Sequence, residues 1–206
     1  MAGKLVMIME VPSAGLRFPV PPLADDVVLL RPWCEADVPG KLLAFRDPVM
    51  QRFSWRTTPY TEADARSDLA AQEAARLRGA ELNFALAEPG GQAAVLGACS
   101  LHDVRLDQGC AALGYWLAPQ ARGRGVATHT VRLLARWAFA ELGLARLELT
   151  CGPDNEASQH VAERCGDGDL PLVCGQLLLP IEQLEHEGHL PWPPAWWRRG
   201  RPALCC

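Results

Sequence analysis

Apolar residues along this chain follow two periods, and the switching between them sketches the fold. Short β-type runs occur at Val27–Arg31, Asn83–Glu88, Ala94–His102, Ala111–Leu117 and Arg146–Cys151, each bounded by proline, glycine or polar residues. Helical spacing takes over between them. Glu35–Phe45 reads as a short helix interrupted by Pro39-Gly40. Thr61-Glu62-Ala63-Asp64 has a hydroxyl and an acid three residues apart, the form of a helix start, and Ala70, Ala74 and Leu77 follow at helical spacing up to a stop at Gly79. A long helix is expected from Arg124 to Leu142, with Val131, Leu134, Ala138 and Leu142 on one face and Gly143 as its stop. A last helix is expected from Asn155 to Cys165, capped by Asp154, with Ala157, Val161 and Cys165 inward and Gly166 closing it.

The turn-like Pro89-Gly90-Gly91 separates two of the strands, and the second of these pairs naturally with Ala111–Leu117 as an antiparallel hairpin. The next unit is strand, loop, helix, strand, helix. Such a crossover wants its two strands parallel and adjacent, so the expected class is mixed α/β. Leu172–Leu179 is a further strand candidate.

The loop in that unit changes the picture most. The strand ending at Leu117 stops at Ala118-Pro119, because proline cannot donate to a ladder and holds the residue before it extended. Gln120, Ala121, Arg122, Gly123, Arg124 and Gly125 follow, with Val126 and Ala127 in the first turn of the long helix. Glycines let backbone amides approach a bulky ligand, and amides in a helix's first turn, at its positive end, favour an anion. Two arginines within three positions add charge. The stretch reads as a phosphate cradle.

Composition narrows the remaining possibilities. A chain of 206 residues supports one good core. A net charge of −4 gives no basis for a broad nucleic-acid face, and no apolar run approaches the ~20 residues that span a bilayer. The apolar start is broken by Glu10, which argues against a secretory signal. The eight cysteines contain no C-x-x-C pair and several lie inside apolar runs, so a reduced, cytoplasmic protein is expected. His129, His160, His186 and His189 show no metal spacing, and no metal is assigned.

Gln120-Ala121-Arg122-Gly123-Arg124-Gly125 resembles the Q/R-x-x-G-x-G/A signature of the GNAT superfamily of acyl-CoA-dependent N-acetyltransferases. The wider text, GYWLAPQARGRGVAT, LARLEL and PDNEASQHVAERCG, resembles the branch typified by the ribosomal-protein-alanine N-acetyltransferases. The resemblance is strongest from Ala94 to Gly166, weaker from Val27 to Leu86 and absent at both ends. It implies a mostly antiparallel mixed sheet flanked by helices, with a central parallel strand pair splayed at the cofactor site. Residues 1–26, with four prolines and little periodicity, read as an irregular extension and 191–206 as a Pro/Trp-rich tail, which leaves an acetyltransferase domain over 27–190, atypical after Gly166 where Asp167-Gly168-Asp169 stands. Trp192, Trp196 and Trp197 in that tail could dock on the body, dock on a second subunit to make a homodimer, or stay loose.

The same resemblance implies acetyl-CoA as cofactor. Its diphosphate would lie on the amides of Arg122 to Ala127, and its pantetheine arm along Tyr115, Trp116 and Leu117, with an oxyanion donor on the backbone near Leu117. The acceptor would be a peptide or small-molecule amine, with neither nucleic acid nor membrane as partner. A protein α-amine is roughly one-seventh neutral at pH 7 and a lysine amine only about one part in 2,500, so the former asks less of a base. Glu148, mid-strand between Leu147 and Leu149, is the base candidate; either it points into a partly dry site or it lies on a solvated face. Asn155-Glu156-Ala157-Ser158 matches the family's N-x-x-S, which makes Asn155 a cofactor ligand and Ser158 a candidate acid, although both are also ordinary first-turn residues. His102-Asp103 closes a strand near the expected acceptor side.

Two rival readings stand beside this one. Strand, Gly-x-Gly, helix and a later acid imitate a dinucleotide fingerprint, but Thr128 occupies the third glycine position and six residues separate Leu117 from Arg124. A GNAT-like body that binds CoA without transferring acetyl is the other.

Overall fold

A computed structural model describes residues 15–53, 59–90, 94–152 and 154–166, and the backbone of 172–176. The expected features at 1–14 and 177–206, the Asp167-Gly168-Asp169 junction and the tail tryptophans lie outside the described residues. One seven-stranded sheet runs in sequence order through β1 (Leu23–Ala24), β2 (Leu29–Pro32), β3 (Leu82–Ala87), β4 (Gly97–Arg105), β5 (Cys110–Leu117), β6 (Arg146–Cys151) and β7 (Leu172–Gln176). The first four pairings are antiparallel; β5 with β6 and β6 with β7 are parallel. The parallel part is therefore three strands, where the sequence pattern implies two. An open parallel sheet of the dinucleotide kind is not present among the described residues.

The helices divide between the two faces. Phe84, Cys99, Leu101, Leu113, Leu147 and Leu149 point to one face and form the core with Val131, Leu134 and Ala138 of α4 (Val126–Glu141) and Ala162 and Cys165 of α5 (Glu156–Gly166). The alternate positions, among them Ala85, Ala98, Ala112 and Trp116, face α1 (Val38–Phe45), α2 (Pro48–Phe53) and α3 (Glu62–Leu77). Small side chains on that face let the helices come close, and Phe45 meets Trp116 edge-on with centroids 5.6 Å apart.

Local rules explain the ends. Thr61 caps α3 with the reciprocal Asp64 bond, and Gly79 at φ 76° ends it. Helix α1 begins only at Val38, with Pro39 in its first turn where a missing N–H costs nothing, and a 3₁₀ turn over Glu35–Asp37 precedes it. Three expectations shift by a fraction of a turn. Helix α3 buries Ala65 and Ala75, not the Ala70, Ala74 and Leu77 stripe; Leu77 is 54% exposed. In an Ala-rich amphipathic helix several stripes have nearly equal hydrophobicity, so spacing does not choose the face. Helix α5 buries Ala162 and Cys165 while Ala157 is exposed. Its cap is Asn155, whose Oδ1 accepts the Ser158 amide at 3.2 Å, and Asp154 instead pairs with Arg52 at 2.8 Å. Helix α2 went unread because it is a single short amphipathic stretch behind Pro48.

Part of the N-terminal extension belongs to the body. Leu16 is 2% exposed within the core, and its backbone bonds the last turn of α3 in both directions: its N–H donates to the Arg76 carbonyl and its carbonyl accepts from Arg76 Nη1.

Candidate active site

Strands β5 and β6 separate partway along. Their parallel register runs from Cys110–Arg146 to Leu113–Leu149 and stops, although β5 continues to Leu117 and β6 to Cys151. Beyond that point β5 stays with β4, pairing Gly114 with Ser100 and Leu117 with Gly97, while β6 stays with β7. The Ala118 amide donates to Leu96 across the same antiparallel register. By alternation, Gly114 and Trp116 also turn their backbone groups towards β4, and Tyr115 and Leu117 turn theirs into the opening. A narrow wedge with outward-turned strand-edge groups on one wall results, the Leu117 carbonyl among them accepting from Arg122 Nη2.

The wedge leads to the start of α4. Pro119–Ala121 forms a 3₁₀ turn in which the Arg122 amide is used, donating to the Pro119 carbonyl at 3.3 Å. From Gly123 to Thr128 the amides make no hydrogen bond to protein among the described residues. Gly123 (φ 71°) and Gly125 (φ 79°, the helix cap) hold the left-handed conformations that let this row of N–H groups turn outward. A Cβ at Gly123 would meet nothing within 4 Å, so the approach is open.

The two loop arginines are held by protein acids. Arg122 Nη2 bonds Asp47 Oδ1 at 2.5 Å and the Leu117 carbonyl at 3.1 Å, and Arg124 Nη2 bonds Glu88 at 2.9 Å. Gln120 braces the loop by donating to the Val95 carbonyl at 3.3 Å. Accessible positive charge collects elsewhere. A pocket of about 460 Å³ beside the first turns of α4 is lined by Gly125, Thr128, His129, Arg132 and Arg164. Sequence reasoning gave Arg132 and Arg164 no role and weighed His129 only as a metal ligand; the i, i+4 and i+7 spacing of Gly125, His129 and Arg132 on one helix face is the signal that would have gathered the first two side chains. His129 Nδ1 bonds Asp25 at 2.7 Å, and Asp26 completes a trio whose ligand atoms lie within 4.8 Å of one another; Asp25 also accepts the Val27 and Val28 amides.

Polar side chains flank the wedge on both faces of the sheet. On the α4–α5 side the Tyr115 hydroxyl donates to Ser158 Oγ at 3.1 Å. Ser158 lies in the first turn of α5, whose position is set by the Asn155 cap. On the opposite side Glu148 is 7% exposed and bonds Arg146 at 2.8 Å. Of the two alternatives open for Glu148, this burial excludes the solvated face. It lies level with Ala112 of β5, and Ala112 lies level with His102 of β4. The His102 ring leans over Gly114, where an added Cβ would come within 3.4 Å of Cε1 and 3.6 Å of Ser100 Oγ. Burial pushes the His102 imidazole below its ordinary pKa, against the opposing pull of Asp103 and Glu81. Trp116 carries its side chain to the same face, stacked on Trp33 with centroids 6.3 Å apart, and Phe45 adds Tyr60 at 4.5 Å. These rings wall the space beside the wedge.

Cys34, Cys99, Cys110, Cys151 and Cys165 are free thiols, all but the first buried. Burial raises the Cys99 thiol far above its usual range. None of the described helices is long and apolar enough to cross a membrane.

Comparison with known proteins agrees with this geometry. The acetyltransferase (GNAT) domain profile matches residues 28–166. A candidate ribosomal N-acetyltransferase, YdaF of Bacillus subtilis (strain 168), is 39% identical over 70 residues, 34% of this chain and 38% of that protein. The match thus spans well under half of this curated relative. Among solved structures, a candidate ribosomal-protein-serine acetyltransferase from Vibrio cholerae aligns with a TM-score of 0.63 at 22% identity, over 73% of this chain and 84% of that one. Spermidine N-acetyltransferase from Vibrio cholerae, in complex with CoA and spermine, aligns with a TM-score of 0.58 at 18% identity, over 69% and 81% respectively. These two likenesses concern the fold.

Proposed function

The chain belongs to the acetyltransferase (GNAT) domain family, and from that premise we propose that it transfers the acetyl group of acetyl-CoA to a primary amine by direct attack on the thioester. The observation that carries this reading is the wedge between β5 and β6 opening onto the outward amides at the start of α4. The diphosphate takes the amides of Gly123, Arg124, Gly125, Val126 and Ala127, and the pocket of His129, Arg132 and Arg164 takes the remaining anionic end of the nucleotide. Pantetheine lies along the exposed edge of Tyr115, Trp116 and Leu117, as an added strand would, and the Leu117 amide faces the thioester oxygen. Gln120 and Arg122 act by fixing the loop. Asn155 holds α5 against the arm, and Ser158, fed by Tyr115, returns a proton to the departing sulfur.

The acceptor enters on the other face, between Trp33, Phe45, Tyr60 and Trp116. Glu148 lies on that side as the carboxylate of the site. Relatives named for ribosomal and polyamine acceptors support both protein N-termini and small amines as the acceptor class. The domain reaches back from 27 to include Leu16 and β1 and forward to 190, with the tail over 191–206 beyond it; net charge and buried thiols fit a cytoplasmic enzyme, with a homodimer arising if the tail tryptophans dock on a second copy.

The test pairs binding with turnover. Acetyl-CoA should raise the melting temperature and NAD should not, and thiol release should appear with some members of an amine panel that includes peptides with free N-termini. Stabilisation by NAD alone removes the cofactor assignment. Stabilisation by acetyl-CoA with no thiol release across the panel leaves a CoA-binding protein without transferase activity.

A further inference from the structure

Three residues of different strands form a row on the acceptor face: His102 on β4, Ala112 on β5 and Glu148 on β6. The row stands at the last stretch of the β5–β6 pairing, directly below the mouth of the wedge. Ala112 offers only a methyl group between its two polar neighbours, so His102 and Glu148 look across a shallow floor. They are not equivalent. The Glu148 carboxylate is engaged by the Arg146 guanidinium at 2.8 Å, whereas the His102 ring makes no hydrogen bond among the described residues. The ring lies against Gly114, two residues further along β5 than its register partner Ala112. Gly114 is the first residue of β5 beyond the paired segment, so the ring overhangs the point where the strands part. A methyl group at 114 would rest against the ring at ordinary van der Waals distance, 3.4 Å from Cε1.

Resting on the acetyl-transfer reading above, we propose that His102 is the catalytic base that accepts the proton of the attacking amine, with Gly114 providing the seat that aims its ring at the wedge. In the step, the amine lone pair forms the N–C bond to the thioester carbonyl carbon, and the amine proton passes to the neutral ring nitrogen, directly or through one water. The C–S bond breaks with its electron pair on sulfur, which takes a proton from Ser158 on the opposite face. His102 then loses its proton to solvent, and Tyr115 and solvent restore Ser158. Burial keeps the ring neutral at pH 7, the form that accepts a proton. Asp103 beside it, Glu81 at the end of the β3 side, and Glu148 with Arg146 beyond Ala112 are the charged groups that face it. Glu148 becomes a positioning residue, orienting the incoming neutral amine before its proton leaves.

The experiment compares His102→Gln and His102→Ala with wild type, using the best acceptor from the amine panel. The acetyl-CoA-induced rise in melting temperature should match wild type in both variants. Turnover should fall by roughly 10²-fold or more, the usual worth of a positioned base. Corrected for the neutral fraction of the acceptor amine, the wild-type kcat/KM profile should keep an acid limb that lies below the ordinary imidazole value of about 6.5, and that limb should vanish in His102→Gln. Added imidazole should restore part of the activity of His102→Ala. The assignment is overturned if His102→Gln keeps its turnover and its acid limb, if Glu148→Gln rather than His102→Gln abolishes that limb, or if both His102 variants lose the acetyl-CoA shift and so fail through folding. A wild-type protein that binds acetyl-CoA but acetylates nothing overturns the transfer reading itself and His102's role with it.

Discussion

Arg122 Nη2 lies 2.5 Å from Asp47 Oδ1, a bond that ties the turn between α1 and α2 to the loop before α4. The same guanidinium nitrogen reaches the Leu117 carbonyl at 3.1 Å. One side chain thus fixes three segments that border the wedge, and its charge is met by protein before any ligand arrives. Asp47 also caps α2 by accepting the Met50 amide at 3.1 Å.

Arg122→Ala should therefore behave as the loss of a strut. We expect a stability loss of about 1–2 kcal/mol, between the values for exposed and buried ion pairs, read from urea denaturation of the free protein. Acetyl-CoA affinity should fall modestly, with an unchanged dependence on ionic strength. A large reduction in that salt dependence would mean that Arg122 contacts phosphate.

Gly123→Ala tests the amide row. Its φ of 71° is unfavourable for alanine, which should cost about 1 kcal/mol of stability. The new methyl group would stand in the open space from which a diphosphate approaches. Isothermal titration should show acetyl-CoA affinity reduced by more than the stability change accounts for. Equal affinity in the variant and wild type would remove the row from the cofactor site.

Tyr115→Phe and Ser158→Ala break the same bond from its two ends. If the pair supplies the thiol proton, both variants should lower kcat by a similar factor while leaving acetyl-CoA binding nearly intact, and the double variant should be no slower than the single Ser158→Ala. Additive losses would show that the two hydroxyls do not act as one unit.

Acid should weaken the fold through Asp37 and Asp47. Burial alone would raise the Asp37 pKa, but the two-pronged Arg31 bond, at 2.7 Å on each oxygen, together with the Cys34 amide brings it below the ordinary value. Arg122 does the same for Asp47. Both folded values are depressed, so the stabilisation is complete above the unfolded value near 3.9 and is lost as pH falls through the folded values. Urea midpoints should hold steady from pH 7 to about 5 and drop below about 4. Asp37→Asn should be less stable at pH 7 and show a shallower acid decline; an identical slope would place the effect in other carboxylates.

The loop before α4 and the elements around it were the most legible part of the chain. Pro119, the two glycines and the strong apolar runs around them are local signals, and β6 occurs at Arg146–Cys151 as its alternation indicates. The wedge followed from family resemblance, because nothing in Tyr115-Trp116-Leu117 says where pairing with a strand thirty residues later must stop. The roles of the arginines were illegible for a related reason. Asp47 and Glu88 lie 75 and 36 residues from their partners, and an unpaired arginine looks the same in sequence as a tethered one. His102 was visible only as a polar residue near a strand end. Its importance depends on Ala112 and Gly114 being small in a neighbouring strand, and the cross-strand register alone reveals that. The helical faces of α3 and α5 slipped for want of contrast, since alanine marks either side of a helix equally well.

The division of helices between the two faces of the sheet has a consequence for how such a protein can diversify. Residues that would meet the nucleophile, Trp33, Phe45, Tyr60 and His102, share one side, and Tyr115 and Ser158, which would meet the leaving thiol, share the other. Mutational drift around the first group can retune which molecules are modified without disturbing the second. Choice of recipient and handling of the donor are thus inherited as separate traits, with the β-sheet as the wall between them.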